Sequence, residues 1–259
     1  MKRMVLTLSA LAALVAALPA SAQTAEDDWD LTREGRTTMA FIAFNEGVGV
    51  AVRCRNQGLD LVLVGLPPAS TDRDSRTLEI GLGSAAPFET RWMVGEPSTA
   101  ATALVPAYLA RTLREGGLFR VIVPAEGEQR RAEYRLPLPR SVAAVNDVLT
   151  ACRTPLQDDR DEAARAAFAA DDLVLDWVRR PAPLYPDRAV TAGIRNGMAH
   201  LSCLPRPDGR LEECRIESEY PAEADFGHSA VRSMRDARVS GESLDPTRPI
   251  FFTIRFRYE

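Results

Sequence analysis

Beyond Lys2 the chain contains no lysine, and its only histidines are His200 and His228. A mature form that has lost its first residues therefore has no lysine for Schiff-base chemistry, and histidine offers few acid–base pairs. No C-x-x-C, H-E-x-x-H, P-loop or G-x-S-x-G pattern occurs, which removes the common metal, phosphate and nucleophile signatures. Gly81-Leu82-Gly83 has no third glycine for a dinucleotide loop, and Gly47-Val48-Gly49 reads as a turn. Net charge is −4 with no basic block, so neither nucleic acid nor an anionic membrane surface is an expected partner. No metal, cofactor or catalytic residue is expected, and the chain reads as a non-enzyme.

What is present is globular. The chain has 259 residues, 46% apolar and 26% charged, enough for one large or two ordinary domains. Met1–Ala22 reads as a cleavable secretory signal. Lys2 and Arg3 precede an apolar run, Val5–Leu18, and Ala20-Ser21-Ala22 supplies small residues for cleavage after Ala22. The run spans 14 residues, short of the ~20 that cross a bilayer. Membrane attachment is expected only if this segment stays uncleaved. The four cysteines, Cys54, Cys152, Cys203 and Cys214, suit disulfides in an oxidising compartment. Four cysteines allow three pairings. Cys54–Cys152 with Cys203–Cys214 is favoured because each bond then stays within one domain.

The expected fold class is α+β in two domains. Residues 23–154 form the first, a mainly antiparallel α+β domain of unknown role. Short β-branched or alternating segments at Met39–Phe44, Val48–Arg53, Leu59–Val64, Thr77–Leu82, Phe88–Val94, Leu118–Val123 and Arg131–Leu136 read as strands. Asn56-Gln57-Gly58 is a hairpin turn. Pro106–Glu115 reads as a helix, and Ser141 caps a second that ends at Cys152. Glu89, Arg91 and Trp92 lie along one strand and line either a groove or a solvated face. Residues 155–174 read as a solvated, acidic and alanine-rich linker helix.

Residues 175–259 form the second domain. Ala199, Leu201 and Cys203 alternate inward, with His200 and Ser202 outward. Asp208-Gly209 turns the chain, and the Leu211-to-Cys214 spacing predicts a bulge. Asp225 caps a helix that carries Phe226, Ala230, Met234 and Ala237 on one face. In the last strand Phe252, Ile254, Phe256 and Tyr258 face inward, and Phe251, Thr253, Arg255 and Arg257 outward. The unit is a three-stranded antiparallel sheet with one packed helix.

Tyr185-Pro186, Ala189, Gly193, Gly197, Pro207-Asp208-Gly209-Arg210, the Ser218–Pro221 turn, Phe226, Ala230 and the closing aromatic strand together resemble the C-terminal domain of TonB-type energy transducers. The resemblance implies a periplasmic protein that binds an envelope protein. The partner segment would be an extended stretch of an outer-membrane transporter, added to a sheet edge. Carried over by position, that edge is Ile250, Phe251, Thr253, Arg255 and Arg257. A genuine transducer with a retained N-terminal anchor is the first alternative, and an exported enzyme with a site in the first domain is the second. The run after the helix, Arg235-Asp236-Ala237-Arg238-Val239, departs from the family's pattern, as does a folded domain in place of a proline-rich spacer.

Overall fold

A computed structural model describes residues 28–70, 74–127, 129–168, 175–240 and 244–258. The leader expected over Met1–Ala22 lies outside the described residues. Strands β1 (Asp30–Glu34), β2 (Thr37–Ala43), β3 (Gly49–Arg55) and β4 (Gly58–Val64) run as a meander. Strands β5 (Ser75–Leu82), β6 (Phe88–Val94) and β7 (Ala101–Ala103) form a second meander that returns to β4 through β7. β8 (Gly117–Val123) and β9 (Ala132–Leu138) then extend the β5 side. The result is one antiparallel sheet in the order β1-β2-β3-β4-β7-β6-β5-β8-β9.

Alternation builds this sheet. Ala40, Val50, Val52, Leu61 and Leu63 share one face and are fully buried, as a period of two requires. Asn56 and Gln57 carry φ values of 49° and 70°, the two positive angles of a tight hairpin turn between β3 and β4. Gly65 has a φ of +78°, and a Cβ there would sit 2.0 Å from the Gly47 carbonyl oxygen. No other residue type closes that approach without strain.

Helix α1 (Pro106–Leu113) packs on β4, and α2 (Ala143–Ala151) packs on β2 and β3. The Cys54–Cys152 disulfide ties the end of α2 to β3. Ser141 does not cap α2: the cap position is Val142, with no side-chain cap bond. Helix α3 (Asp161–Phe168) occupies part of the expected linker but is not solvated. It buries Ala164 and Phe168. The Phe168 ring lies edge-on to Phe88, Trp92 and Tyr108, with centroids 6.0, 6.1 and 6.0 Å apart.

Past residue 175, β10 (Trp177–Arg179) pairs with β13 (Arg238–Val239). The short helix α4 (Asp187–Thr191) precedes β11 (Asn196–Pro205), β12 (Leu211–Tyr220), helix α5 (Phe226–Ser233) and β14 (Ile250–Arg257). The three long strands form a second antiparallel sheet, ordered β12-β11-β14. Helix α5 covers one face with Phe226 and Ala230, followed by Met234 and Ala237, all buried. Gly197 lies under the Phe226 ring, where a Cβ would come within 2.1 Å of it. Cys203–Cys214 bridges β11 and β12 beside an irregularity in their register.

The opposite face of this sheet departs from the expected pattern. His200 is 5% exposed, Ser202 0% and Phe251 5%, although alternation points all three to solvent. The reason is a second burial surface. Met198 and Phe251 join the same apolar cluster as the nine-stranded sheet, so both faces of β11 are covered. Tyr258, expected inside, is 46% exposed and leans on Tyr185 at 5.1 Å. The fold is thus mixed α and β with antiparallel sheets, and its nine- and three-stranded sheets share packing.

Candidate functional site

Among the described residues the nine- and three-stranded sheets have four edges between them, and they differ in how well they resist pairing. β1 carries Asp30, Arg33 and Glu34 along the first. β9 carries Pro137 within the opposite edge. Charges and proline on an edge discourage strand addition. β12 shows two register shifts against β11, and bulges bend an edge away from a partner. β14 pairs with β11 in unbroken register from Asn196↔Arg257 to Cys203↔Ile250. It is an edge with neither bulge nor proline.

The register also sets which backbone groups face outward. Tyr258 donates its backbone N–H to the Arg195 carbonyl at 2.9 Å. Hydrogen-bonded pairs alternate along an antiparallel ladder. The amides of Phe256, Ile254, Phe252 and Ile250 therefore point to β11, and those of Arg257, Thr253 and Phe251 point away. Side chains add constraint. The Thr253 hydroxyl lies 3.0 Å from His200 Nδ1. Arg255 pairs with Asp74 at 3.4 Å across an exposed rim, and Arg248, just before β14, pairs with Glu162 of α3 at 3.3 Å.

A cavity of about 610 Å³ lies beside Arg255, next to the start of β5 and the second half of β6. Arg91 lines it; the neighbouring Trp92 instead points into the core and donates its indole N–H to the Thr90 hydroxyl at 2.7 Å. A larger groove, about 1370 Å³, runs between the outer face of β2–β4 and β12. Several of its charged residues pair within the chain. Arg53 pairs with Asp60 at 2.7 Å, Arg55 with Glu223 at 2.7 Å and Arg111 with Asp161 at 2.5 Å.

Arg160, 9% exposed, ties the segment just before α3 to the three-stranded sheet. It donates to the Ser202 hydroxyl at 2.9 Å and to the Glu213 carbonyl at 2.9 Å. The Ser202 hydroxyl in turn donates to Glu217 at 2.5 Å. Burial pushes the Glu217 carboxyl up, against that hydrogen bond and the Arg160 charge. Desolvation likewise pushes Arg160 down. Such a network holds elements together; Ser202, with no exposed surface, has no access to a substrate. Nothing in the sequence pattern marks these three residues as partners.

Of the expected edge residues, Ile250 and Thr253 are half-buried, Arg255 and Arg257 exposed, and Phe251 buried. Phe251 therefore presents its backbone but not its ring. His228 is exposed and contacts Asp225 at 2.9 Å, while Ser229 is buried and donates to the Leu184 carbonyl. These neighbours form no catalytic pair. Asp225 makes no cap bond; Glu219 takes that role, accepting from the Gly227 amide at 2.8 Å. Among the described residues no group of metal-ligating side chains occurs, and no helix is long and apolar enough to cross a membrane. Neither a protein-family model nor a curated protein matches the chain.

Proposed function

We propose that this protein is an exported, periplasmic and non-enzymatic binding module that captures an extended segment of an envelope protein by strand addition to β14. Among the described residues, β14 itself carries the reading: an eight-residue edge in unbroken register with neither bulge nor proline, its charge confined to Arg255 and Arg257 at the far end. Backbone hydrogen bonds from an added strand supply affinity, and side-chain pockets on each face supply choice. Two disulfides fit an oxidising compartment. Residues 175–259 are the binding unit, a fold like the C-terminal domain of TonB-type transducers, and residues 23–154 are a second domain that braces the face opposite α5. An outer-membrane transporter segment is the expected ligand.

Thr253→Pro tests this. Proline removes an outward N–H and leaves the β11 ladder intact. Thr253→Val is the control, since it loses the same contact to His200 but keeps the N–H. A photoreactive residue at Arg257 in wild type should cross-link a defined envelope protein, and cross-linking should persist in Thr253→Val and disappear in Thr253→Pro. Equal cross-linking in all three proteins would overturn strand addition.

A further inference from the structure

The groove between β12 and the outer face of β2–β4 has an apolar floor. Phe41, Ala51, Val62 and Thr102 are successive cross-strand partners, so their side chains form one row on the face away from Leu61 and Leu63. The row lines the groove, with Met39 and Val64 beside it. Gly49 makes room for the Phe41 ring, since a Cβ there would come within 2.7 Å of it. Met39, Phe41, Val62 and Val64 are half-buried, and none of them belongs to either apolar core. With neighbouring strands ~4.8 Å apart, the row is about 15 Å long.

One end of the row meets a carboxyl. The Ser218 hydroxyl donates to the Leu104 carbonyl at 2.7 Å, which sets β12 against the chain just past Thr102. Glu217, next to Ser218, lines the groove there. The arginines around it are engaged by other carboxylates. Arg111 pairs with Asp161 at 2.5 Å, Arg215 with Asp158 at 2.8 Å and Arg160 with Glu213 at 3.8 Å. Arg206, which also approaches Glu213, is held by Glu212 at 2.8 Å. Among the described residues Glu217 makes no ion pair, and one of its oxygens accepts from the Ser202 hydroxyl. It is the carboxyl on this wall left without a guanidinium partner.

We infer that this groove takes a single-chain amphiphile with a cationic amine head, its tail on the row from Thr102 to Phe41 and its ammonium on Glu217. The ammonium supplies the counter-charge and donates to the second carboxyl oxygen, and charge-assisted hydrogen bonds are the stronger ones. The tail removes the exposed apolar surface of the row from water. β14 takes no part, so the inference stands apart from strand addition.

Isothermal titration calorimetry of the full chain tests it with dodecylammonium, dodecyl sulfate and butylammonium, each below its micellar concentration, at about pH 7, where an alkylamine is charged. Dodecylammonium should bind about tenfold tighter than dodecyl sulfate, the worth of one partly exposed charge-assisted contact. Butylammonium should bind at least about tenfold more weakly than dodecylammonium, because a short tail covers little of the row. Glu217→Gln keeps the side chain's size and its acceptor for Ser202, and should bring the ammonium-to-sulfate ratio close to one. Equal affinity for the two dodecyl compounds, or a preference that survives in Glu217→Gln, overturns Glu217 as the head-group site. Butylammonium binding as tightly as dodecylammonium overturns the apolar row. Absence of dodecylammonium binding, or binding seen only with loss of the folded circular dichroism signal, overturns the whole inference.

Discussion

Truncating Phe168 to alanine asks whether α3 is a docked element or a solvated connector. The helix has eight residues, too few to persist without tertiary contacts. Its hold on the nine-stranded sheet is the Phe168 ring, 4% exposed, together with the two-pronged Arg111–Asp161 pair at 2.8 and 2.5 Å. Phe→Ala in a packed core costs about 3–5 kcal/mol. The three edge-on ring contacts favour the upper part of that range, since aromatic pairs add about 0.5–1.5 kcal/mol beyond burial. In a protein of this size such a loss lowers Tm by roughly 10 °C. Urea unfolding of the oxidised protein, followed by tryptophan fluorescence and circular dichroism, gives the difference. Leu156→Ala, at a residue 39% exposed, should stay within about 0.5 kcal/mol. A Phe168→Ala cost under about 1 kcal/mol would refute the docked-helix account, because it would mean the ring leaves no cavity behind.

Three further outcomes follow from the same reasoning. The Cys54–Cys152 bond closes a loop of 98 residues and Cys203–Cys214 one of 11, so chain entropy assigns the first about 4–5 kcal/mol and the second roughly 3; paired serine substitutions should lower the urea midpoint more for the first, and the reverse order would contradict the loop argument. Glu219→Ala should cost about 1 kcal/mol through loss of the α5 cap, whereas Asp225→Asn should cost about 0.5 kcal/mol or less; thermal melts that rank them the other way would restore Asp225 as the cap. A raised carboxyl pKa contributes stability that is complete below the unfolded-state value and is lost as pH rises through the folded value. Glu217 is shifted upward, so Glu217→Gln should gain on wild type as pH climbs above the ordinary carboxylate range of about 4. A stability difference that is flat from acid to neutral pH would show that Glu217 is not buried in this way.

Local chemistry made part of this fold legible. Val48 to Leu63 shows alternation on both sides of Asn56-Gln57, and the positive φ values at those two residues match the turn. Phe226, Ala230, Met234 and Ala237 recur at helical spacing, and all four are buried. Other features depend on contacts distant in sequence. β7, only Ala101–Ala103, is a strand because β4 and β6 flank it; three small residues carry no period of their own. Phe251 and Phe252 are adjacent, so alternation sends one outward, yet both are buried because the second face of the sheet is covered. Asp225 stands next to α5 and looks like its cap, but its φ of 68° turns it toward His228. Glu219 reaches the helix from β12 instead. At the candidate site the edge position of β14 was legible as a carried-over expectation. The cavity beside Arg255 was only half legible, since Arg91 stood out along its strand while Arg76 and Arg255 come to it from elsewhere in the fold.

The openness of β14 is the claim on which the functional account turns, and amide hydrogen exchange of the free protein by NMR tests it residue by residue. The account predicts an alternating pattern: slow exchange at Phe252, Ile254 and Phe256, whose amides point to β11, and fast exchange at Thr253 and Arg257, which point away. Uniform slow exchange from Ile250 to Arg257 would contradict it, because the outer edge of the strand would then already be occupied by the protein itself.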